Sequence, residues 1–192
     1  FSAGLLFDSD ILIRQDPRLR ALNLVNIEEI FTRGYWWPAP GILYRPLTTL
    51  SYLVNYSVLG NGENSGGYHT VNFLLHWTNA FLVLLVVRRL SGGLDVAALT
   101  AVLFAVHPVN SESVTNVVGR ADLLAGLSVL FGGWCYLCAT TGGARKGWWL
   151  GTMGTTVCFG VLAKENAVML VAFMALYDFL WRWPHLKTNS WG

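Results

Sequence analysis

The sequence predicts an all-α, multi-pass helical membrane protein, with a long outer loop carrying two short surface-lying helices ahead of a bundle of about five apolar helices. Two observations point there. Of 192 residues, 54% are hydrophobic and 12% charged, whereas soluble domains carry about 45–50% apolar and about 25% charged residues. Thirteen Lys and Arg with eleven Asp and Glu are too few to wet the surface of a soluble domain of this length. The charge is also segregated: 11 charged side chains fall within residues 8–67, and long apolar runs separated by short polar breaks follow. A net charge of +2 is too mild to argue for a nucleic-acid partner. Cys135, Cys138 and Cys158 lie inside apolar runs, which suits packing better than a disulfide framework or a metal cluster.

The chain opens on Phe1 and a short apolar stretch that runs into Asp8. We expect a further span upstream of it. Residues 1–67 read as the outer loop. In it, Asn26-Ile-Glu-Glu29 has the pattern of an N-cap with a capping-box acid, and Leu24, Ile27, Ile30 and Phe31 share one side of a short amphipathic helix. Tyr35-Trp36-Trp37-Pro38 ends it with aromatics of the kind found at headgroup level. Leu47 to Leu59 places Leu47, Leu50, Leu53, Val54 and Val58 on one face. Thirteen residues at about 1.5 Å each cannot cross a hydrocarbon core of about 30 Å, so this segment should lie along the membrane.

Residues 68–183 read as the transmembrane bundle. Its segments are Val71 to Val87, Leu94 to Val106, Ala121 to Thr140, Trp148 to Ala163 and Ala167 to Trp183; the second and fourth are short for full spans. Arg88-Arg89, Arg145-Lys146, and Arg182 with Lys187 fall in alternate breaks, which places those breaks and residues 184–192 in the cytoplasm. The long loop, His107 to Arg120 and Lys164-Glu165 then share the opposite side.

Several polar residues exceed what connection requires. His69, Asn72, His76 and Asn79 line one face of the first span, a stripe suited to interhelical hydrogen bonds; a lone His76 could also ligate a haem or chlorophyll metal. The break His107 to Asp122 gathers His107, Glu112, Arg120 and Asp122. Arg120 with Asp122 could instead be a helix-start ion pair, and Glu112 a solvated charge. Lys164-Glu165 sits tightly between two apolar helices, where a charged pair either snorkels or faces a site. Asp8 and Asp10 could serve as a general base, bind a divalent cation, or begin a solvated loop.

The ordered series Phe7-Asp8, Tyr44-Arg-Pro-Leu-Thr-Thr-Leu50, Gly67-Tyr-His-Thr-Val-Asn72 with Leu75-His76, His107-Pro-Val-Asn-Ser-Glu112, Val118-Gly-Arg-Ala-Asp-Leu-Leu124 and Ala163-Lys-Glu165 resembles the N-terminal membrane region of the transmembrane and tetratricopeptide-repeat proteins, whose animal members are protein O-mannosyltransferases. The closer flavour is that of bacterial relatives. The resemblance covers residues 7 to 183 and implies a GT-C glycosyltransferase bundle in a bacterial plasma membrane, with an upstream span and with further spans and repeats downstream. It implies transfer of a sugar, mannose by family, from a polyprenyl phosphate to a protein hydroxyl at the outer face, with inversion. On that reading Asp8 is the catalytic base and Arg45, Arg120 and Lys164 hold the donor phosphate. Asp10, His69, His107, Glu112, Asp122 and Glu165 orient acceptor or phosphate around them. The family's acidic motif is usually two adjacent carboxylates; here it reads Asp8-Ser9-Asp10, which leaves the second acid's role open. No resident metal is required, although a divalent cation at Asp8 or Glu112 is compatible. The partners implied are membrane lipid, the lipid-linked sugar and an acceptor protein. The rival reading is a non-catalytic membrane subunit or scaffold of a larger complex.

Overall fold

A computed structural model describes residues 8–38 and 41–182. Among them every regular element is helical. Asp8–Asp10 (α1) runs into a π-helical turn, Ile11–Gln15, and α2 spans Leu24–Thr32. Next, α3 spans Pro46–Leu53 and continues as a π-helical turn, Val54–Val58. The bundle consists of α4 (Ser65–Ser91), α5 (Leu94–Val106), α6 (Val109–Thr115), α7 (Arg120–Thr140), α8 (Lys146–Ala163) and α9 (Met169–Tyr177).

The first three helices form a cap layer over one end of the bundle. Its core joins Leu12, Ile13, Leu19, Ile30, Tyr35, Tyr52 and Leu53 to Tyr68 at the top of α4 and to Val117. The α2 helix starts three residues before the expected Asn26 cap: its cap is Asn23, whose Oδ1 accepts from the Asn26 amide at 2.7 Å. Of its predicted apolar face only Ile30 is buried and Ile27 partly so. Leu24 and Phe31 stand exposed, because nothing packs on the outer side of so short a helix. Tyr35 also departs from its headgroup-level reading: it is 1% exposed, inside the cap core. Beneath it Asp16 caps the 3₁₀ turn Pro17–Leu19 and grips Arg18 through Nε and Nη2, while Arg18 Nη1 donates to the Gly34 carbonyl. Both side chains are fully buried.

The bundle helices alternate in direction. Asn72 near the cap end of α4 meets Asn116 just before α7, while Arg89 at the far end of α4 donates to Thr141 just beyond α7. Thr48 of α3 donates to the Ala163 carbonyl at the end of α8. So α4, α7 and α9 run away from the cap, and α5–α6 and α8 return. This gathers Arg88, Arg89, Arg145, Lys146 and Arg182 toward the end opposite the cap. Gly92, at φ +71°, closes α4 in the left-handed conformation that favours glycine.

Two helices, Ser65–Ser91 and Val117–Thr140, are long and apolar enough to cross a membrane; α5 and α6, bent by 60° at His107-Pro108, make a third if counted as one. Five segments are helical, as expected, but α8 and α9 fall short of that standard. In the bundle many large apolar side chains face outward: Phe73, Trp77, Leu99, Val102, Phe159 and Val171 are all exposed, while Leu82, Val83, Leu137 and Leu170 are buried. Such a surface suits lipid.

Close backbone approach fastens α8. A Cβ on Gly160 would lie 2.6 Å from the Cβ atoms of both Ala167 and Ser128, neither of which can swing aside. Gly160→Ala should therefore cost about 1–3 kcal/mol through overpacking. Gly154→Ala, whose Cβ meets nothing, should be neutral or mildly stabilising. Thermal unfolding in detergent checks the contrast. In the cap, Asp16→Ala leaves Arg18 buried without its counter-charge, a loss of about 3–5 kcal/mol. Asp16→Ala with Arg18→Met should recover most of it, read as protease resistance of residues 8–38.

Candidate functional site

The cap and bundle meet at the N-terminus of α7, where Arg120 and Asp122 stand and where Arg45, Lys164 and Glu165 of the predicted site are drawn in. Arg120 is fully buried. Its Nε donates to Asn72 Oδ1 at 2.9 Å, Nη1 to the Ser51 carbonyl at 3.3 Å, and Nη2 to Asn55 Oδ1 and the Tyr68 carbonyl at 2.9 and 3.0 Å. The guanidinium also lies against the rings of Tyr52 and Tyr68, 5.0 and 5.4 Å from their centroids. Among the described residues no carboxylate pairs with it. Arg120 and Asp122 thus do not form a helix-start ion pair.

Asp122 instead takes Lys164 at 2.5 Å, and the next residue, Glu165, takes Arg45 at 2.6 Å. Four predicted residues therefore form two adjacent ion pairs that tie the α8–α9 break to the start of α7 and to the residue before α3. In each pair the cation is the more enclosed partner, Arg45 at 11% and Lys164 at 17% exposure, and the acid faces outward. Hydrogen bonds from Arg45 hold the Glu165 carboxyl below the usual 4.5. Arg45 also lies over the Tyr35 ring. Tyr35 and Tyr52, hydroxyls 3.4 Å apart, form an aromatic wall between Arg45 and Arg120. Burial drives both phenols above the ordinary value of 10.0, so they stay protonated near neutrality.

Asp8 is exposed at the start of α1 and forms no ion pair among the described residues. The buried Ser9 hydroxyl donates to Asn116 Oδ1 at 3.5 Å, and Asn72 Nδ2 donates to the Asn116 carbonyl. This chain of contacts brings the acidic motif to the Arg120 end of the bundle. Asp10 is drawn away, to Arg14 and Gln15. His69 is buried on α4. His107 and Glu112 are exposed at the α5–α6 corner, where His107 Nδ1 accepts from the Val109 amide. Neither joins the ion pairs. The remaining stripe residues bond across helices: His76 Nε2 to the Ala105 carbonyl and Asn79 Nδ2 to the Leu123 carbonyl. Among the described residues no group of three His, Cys, Asp or Glu is placed to hold a metal ion.

From the buried Arg120 a groove of about 1070 Å³ descends between α3, α4, α7 and α8. Its walls are mainly apolar, including Leu50, Leu75, Leu124, Phe131, Trp148 and Phe159 with the hydroxyl residues Ser128, Thr152, Thr155 and Thr156 among them, and at its head stand Ser51, Asn55 and Arg120. Along α8 it extends from Ala163 to Gly147, about 24 Å at 1.5 Å per residue. The sequence reading missed Ser51, Asn55, Tyr52 and the Asp16–Arg18 pair. A signal was there for two of them: Ser51 and Asn55, four residues apart, put a polar stripe on a helix read only for its leucines.

No family profile and no solved structure matches the chain. It is 38% identical over 150 residues, 77% of the chain, to the protein O-mannosyl-transferase tmtc2 of Xenopus laevis. Identity is 36% over 161 residues (71% of the chain) with Mus musculus protein O-mannosyl-transferase TMTC4, and 31% over 206 positions (91% of the chain) with Drosophila melanogaster Tmtc3. The chain spans about a fifth of each relative's length, 18%, 21% and 22% respectively. With the Asp8, Arg45, Arg120 and Lys164-Glu165 motifs converging at one end of the bundle, and with identities above 30% over most of its length, the chain belongs to the TMTC family.

Proposed function

We propose that the chain carries the donor end of a membrane glycosyltransferase that moves a sugar, mannose by family, from a polyprenyl phosphate to a hydroxyl of an acceptor protein. One observation carries the reading: an apolar groove about as long as a lipid chain begins at a buried cation, at the end of the bundle that also holds Arg45, Lys164 and Asp8, whose carboxylate forms no ion pair among the described residues. An isoprenoid tail fits the groove's walls, and its phosphate reaches the cationic head.

The chemistry follows from charge. A lipid phosphate is already a competent leaving group, so departure needs positive charge more than a proton donor. Arg45 and Lys164, enclosed and preordered by Glu165 and Asp122, supply it by releasing these exposed acids in favour of the phosphate. Arg120 adds positive potential from within the protein. The acceptor hydroxyl needs a base, and Asp8, exposed and unpaired, takes its proton as the oxygen attacks the anomeric carbon from the face opposite the phosphate. That geometry inverts the anomeric centre in a GT-C manner. No step requires a metal.

By the positive-inside rule the basic end faces the cytoplasm, so the cap and the Asp8 end lie at the outer face. Residues 68–183 are then the membrane bundle and 1–67 the outer loop. The membrane is proposed as a bacterial plasma membrane on the flavour of the motifs; the relatives named above are animal proteins.

Full-length enzyme given polyprenyl-phosphate mannose and an acceptor peptide should release the lipid phosphate, and Asp8→Asn should lower kcat by at least about 10²-fold with little change in KM. Turnover unaffected by Asp8→Asn would remove Asp8 as the base. Lys164→Gln should instead raise KM for the donor about tenfold, the worth of one charge-assisted hydrogen bond. A full-length protein that transfers no sugar and copurifies at fixed stoichiometry with another membrane complex would replace the enzyme reading with that of a subunit.

A further inference from the structure

We infer that Asn55 is a phosphate-binding residue, its amide Nδ2 holding an oxygen of a lipid phosphate whose apolar chain lies in the groove between α3, α4, α7 and α8.

The amide's orientation is set by its neighbour. Arg120 can only donate, so Asn55 must turn Oδ1 toward it, and does so at 2.9 Å. The NH2 group is thereby directed to the other side. Asn55 is 1% exposed, yet Nδ2 has no hydrogen-bond partner among the described residues. Buried polar groups are rarely left so. Asn55 and Arg120 both line the groove, and Asn55 stands in the π-helical turn Val54–Val58, a distortion frequent at functional sites.

Electrostatics selects the ligand. Arg120 spends four N–H groups on neutral acceptors and pairs with no carboxylate among the described residues. Its charge therefore stands uncancelled in a weakly screened setting, and Nη1 keeps a second N–H beyond its one bond to Ser51. A single negative oxygen completes Asn55 and neutralises Arg120 together. Free phosphate has no use for the apolar walls below. A lipid phosphate uses both ends. The inference rests on the donor reading only for which lipid this is; phosphate on a long apolar chain is common to polyprenyl phosphate and ordinary phospholipids.

The test measures binding of polyprenyl phosphate, polyprenol and phosphatidylglycerol to the detergent-solubilised full chain, in the native protein and two variants. Asn55→Asp keeps an oxygen toward Arg120, so it holds the clamp and the melting temperature while replacing the donor with an acceptor. Asn55→Ala removes the donor without adding charge, and its affinity for polyprenol reports whether the groove is intact. The native protein should bind the phosphate lipid at least tenfold more tightly than polyprenol, and both variants should lose that preference with polyprenol affinity unchanged. Retention of the preference by Asn55→Ala would overturn the assignment and leave Nδ2 to a trapped water. Absence of the preference in the native protein would overturn it equally. Asn55-dependent binding of phosphatidylglycerol without binding of polyprenyl phosphate would uphold the phosphate site and refute the polyprenyl donor. Where Asn55→Ala fails to fold, Asn55→Ser, uncharged and too short to carry a donor to the place of Nδ2, takes its role with the same readouts.

Discussion

A buried guanidinium with no carboxylate partner among the described residues governs how the two layers meet. Removing a charge from water costs several kcal/mol even after relaxation, and Arg120 recovers it from four neutral acceptors and two ring faces. Those acceptors come from two places: Ser51 and Asn55 in the cap, Tyr68 and Asn72 in α4. The cation at the start of α7 can be satisfied only when cap and α4 are both seated. An acid partner would have met the same need with one contact and no such dependence on the assembly. It would also have cancelled the charge that the head of the groove presents.

Around that centre the polarity of the molecule is reversed in two parts. The cap hides a conventional core of Leu, Ile and Tyr, whereas the bundle turns many of its Phe, Trp, Leu and Val side chains outward and keeps Asn72, His76 and Asn79 inside beside Leu82, Val83 and Leu137. The ion pairs of Arg45 with Glu165 and Lys164 with Asp122 lie at the seam. Exposed pairs contribute little to stability. Here each pair holds an enclosed cation against a more exposed acid, a different arrangement from that of the wholly buried Asp16–Arg18 pair.

How much could be read from the sequence varies with the kind of interaction. Helices in the bundle were legible because apolar runs and helix ends are local. So was the stripe His69–Asn72–His76–Asn79, since lipid tolerates such residues poorly and periodicity shows their common face. The pairing of Lys164-Glu165 with Asp122 and Arg45 was only half legible: the unusual charges stood out, but opposite charges 42 and 120 residues apart have no local signature. Arg120 was found as a singular cation, yet its neutral cage depends on Ser51 and Asn55, polar types common on any helix. Tyr35 was misread because Trp36 and Trp37 beside it look interfacial, and no local rule distinguishes a ring beneath a cap from a ring at a headgroup. The N-cap moved from Asn26 to Asn23 for a simpler reason: both have the right side chain, and backbone geometry chose between them.

Three of the bonds that knit α4 to its neighbours share a form, unlike the side-chain pairs Arg120–Asn72 and Arg89–Thr141. Asn72 donates to the carbonyl of Asn116, His76 pairs with the carbonyl of Ala105, and Asn79 donates to the carbonyl of Leu123. Each pairs a side chain with main chain, so the receiving residue's type does not matter to the bond. In a lineage of such proteins selection would therefore act on one member of each contact alone. Positions 72, 76 and 79 would stay constant while 105, 116 and 123 answered to other pressures. Helix contacts of this form leave little paired substitution behind them, and the packing of α4 would be better preserved than the correlated sequence changes by which packing is usually recognised.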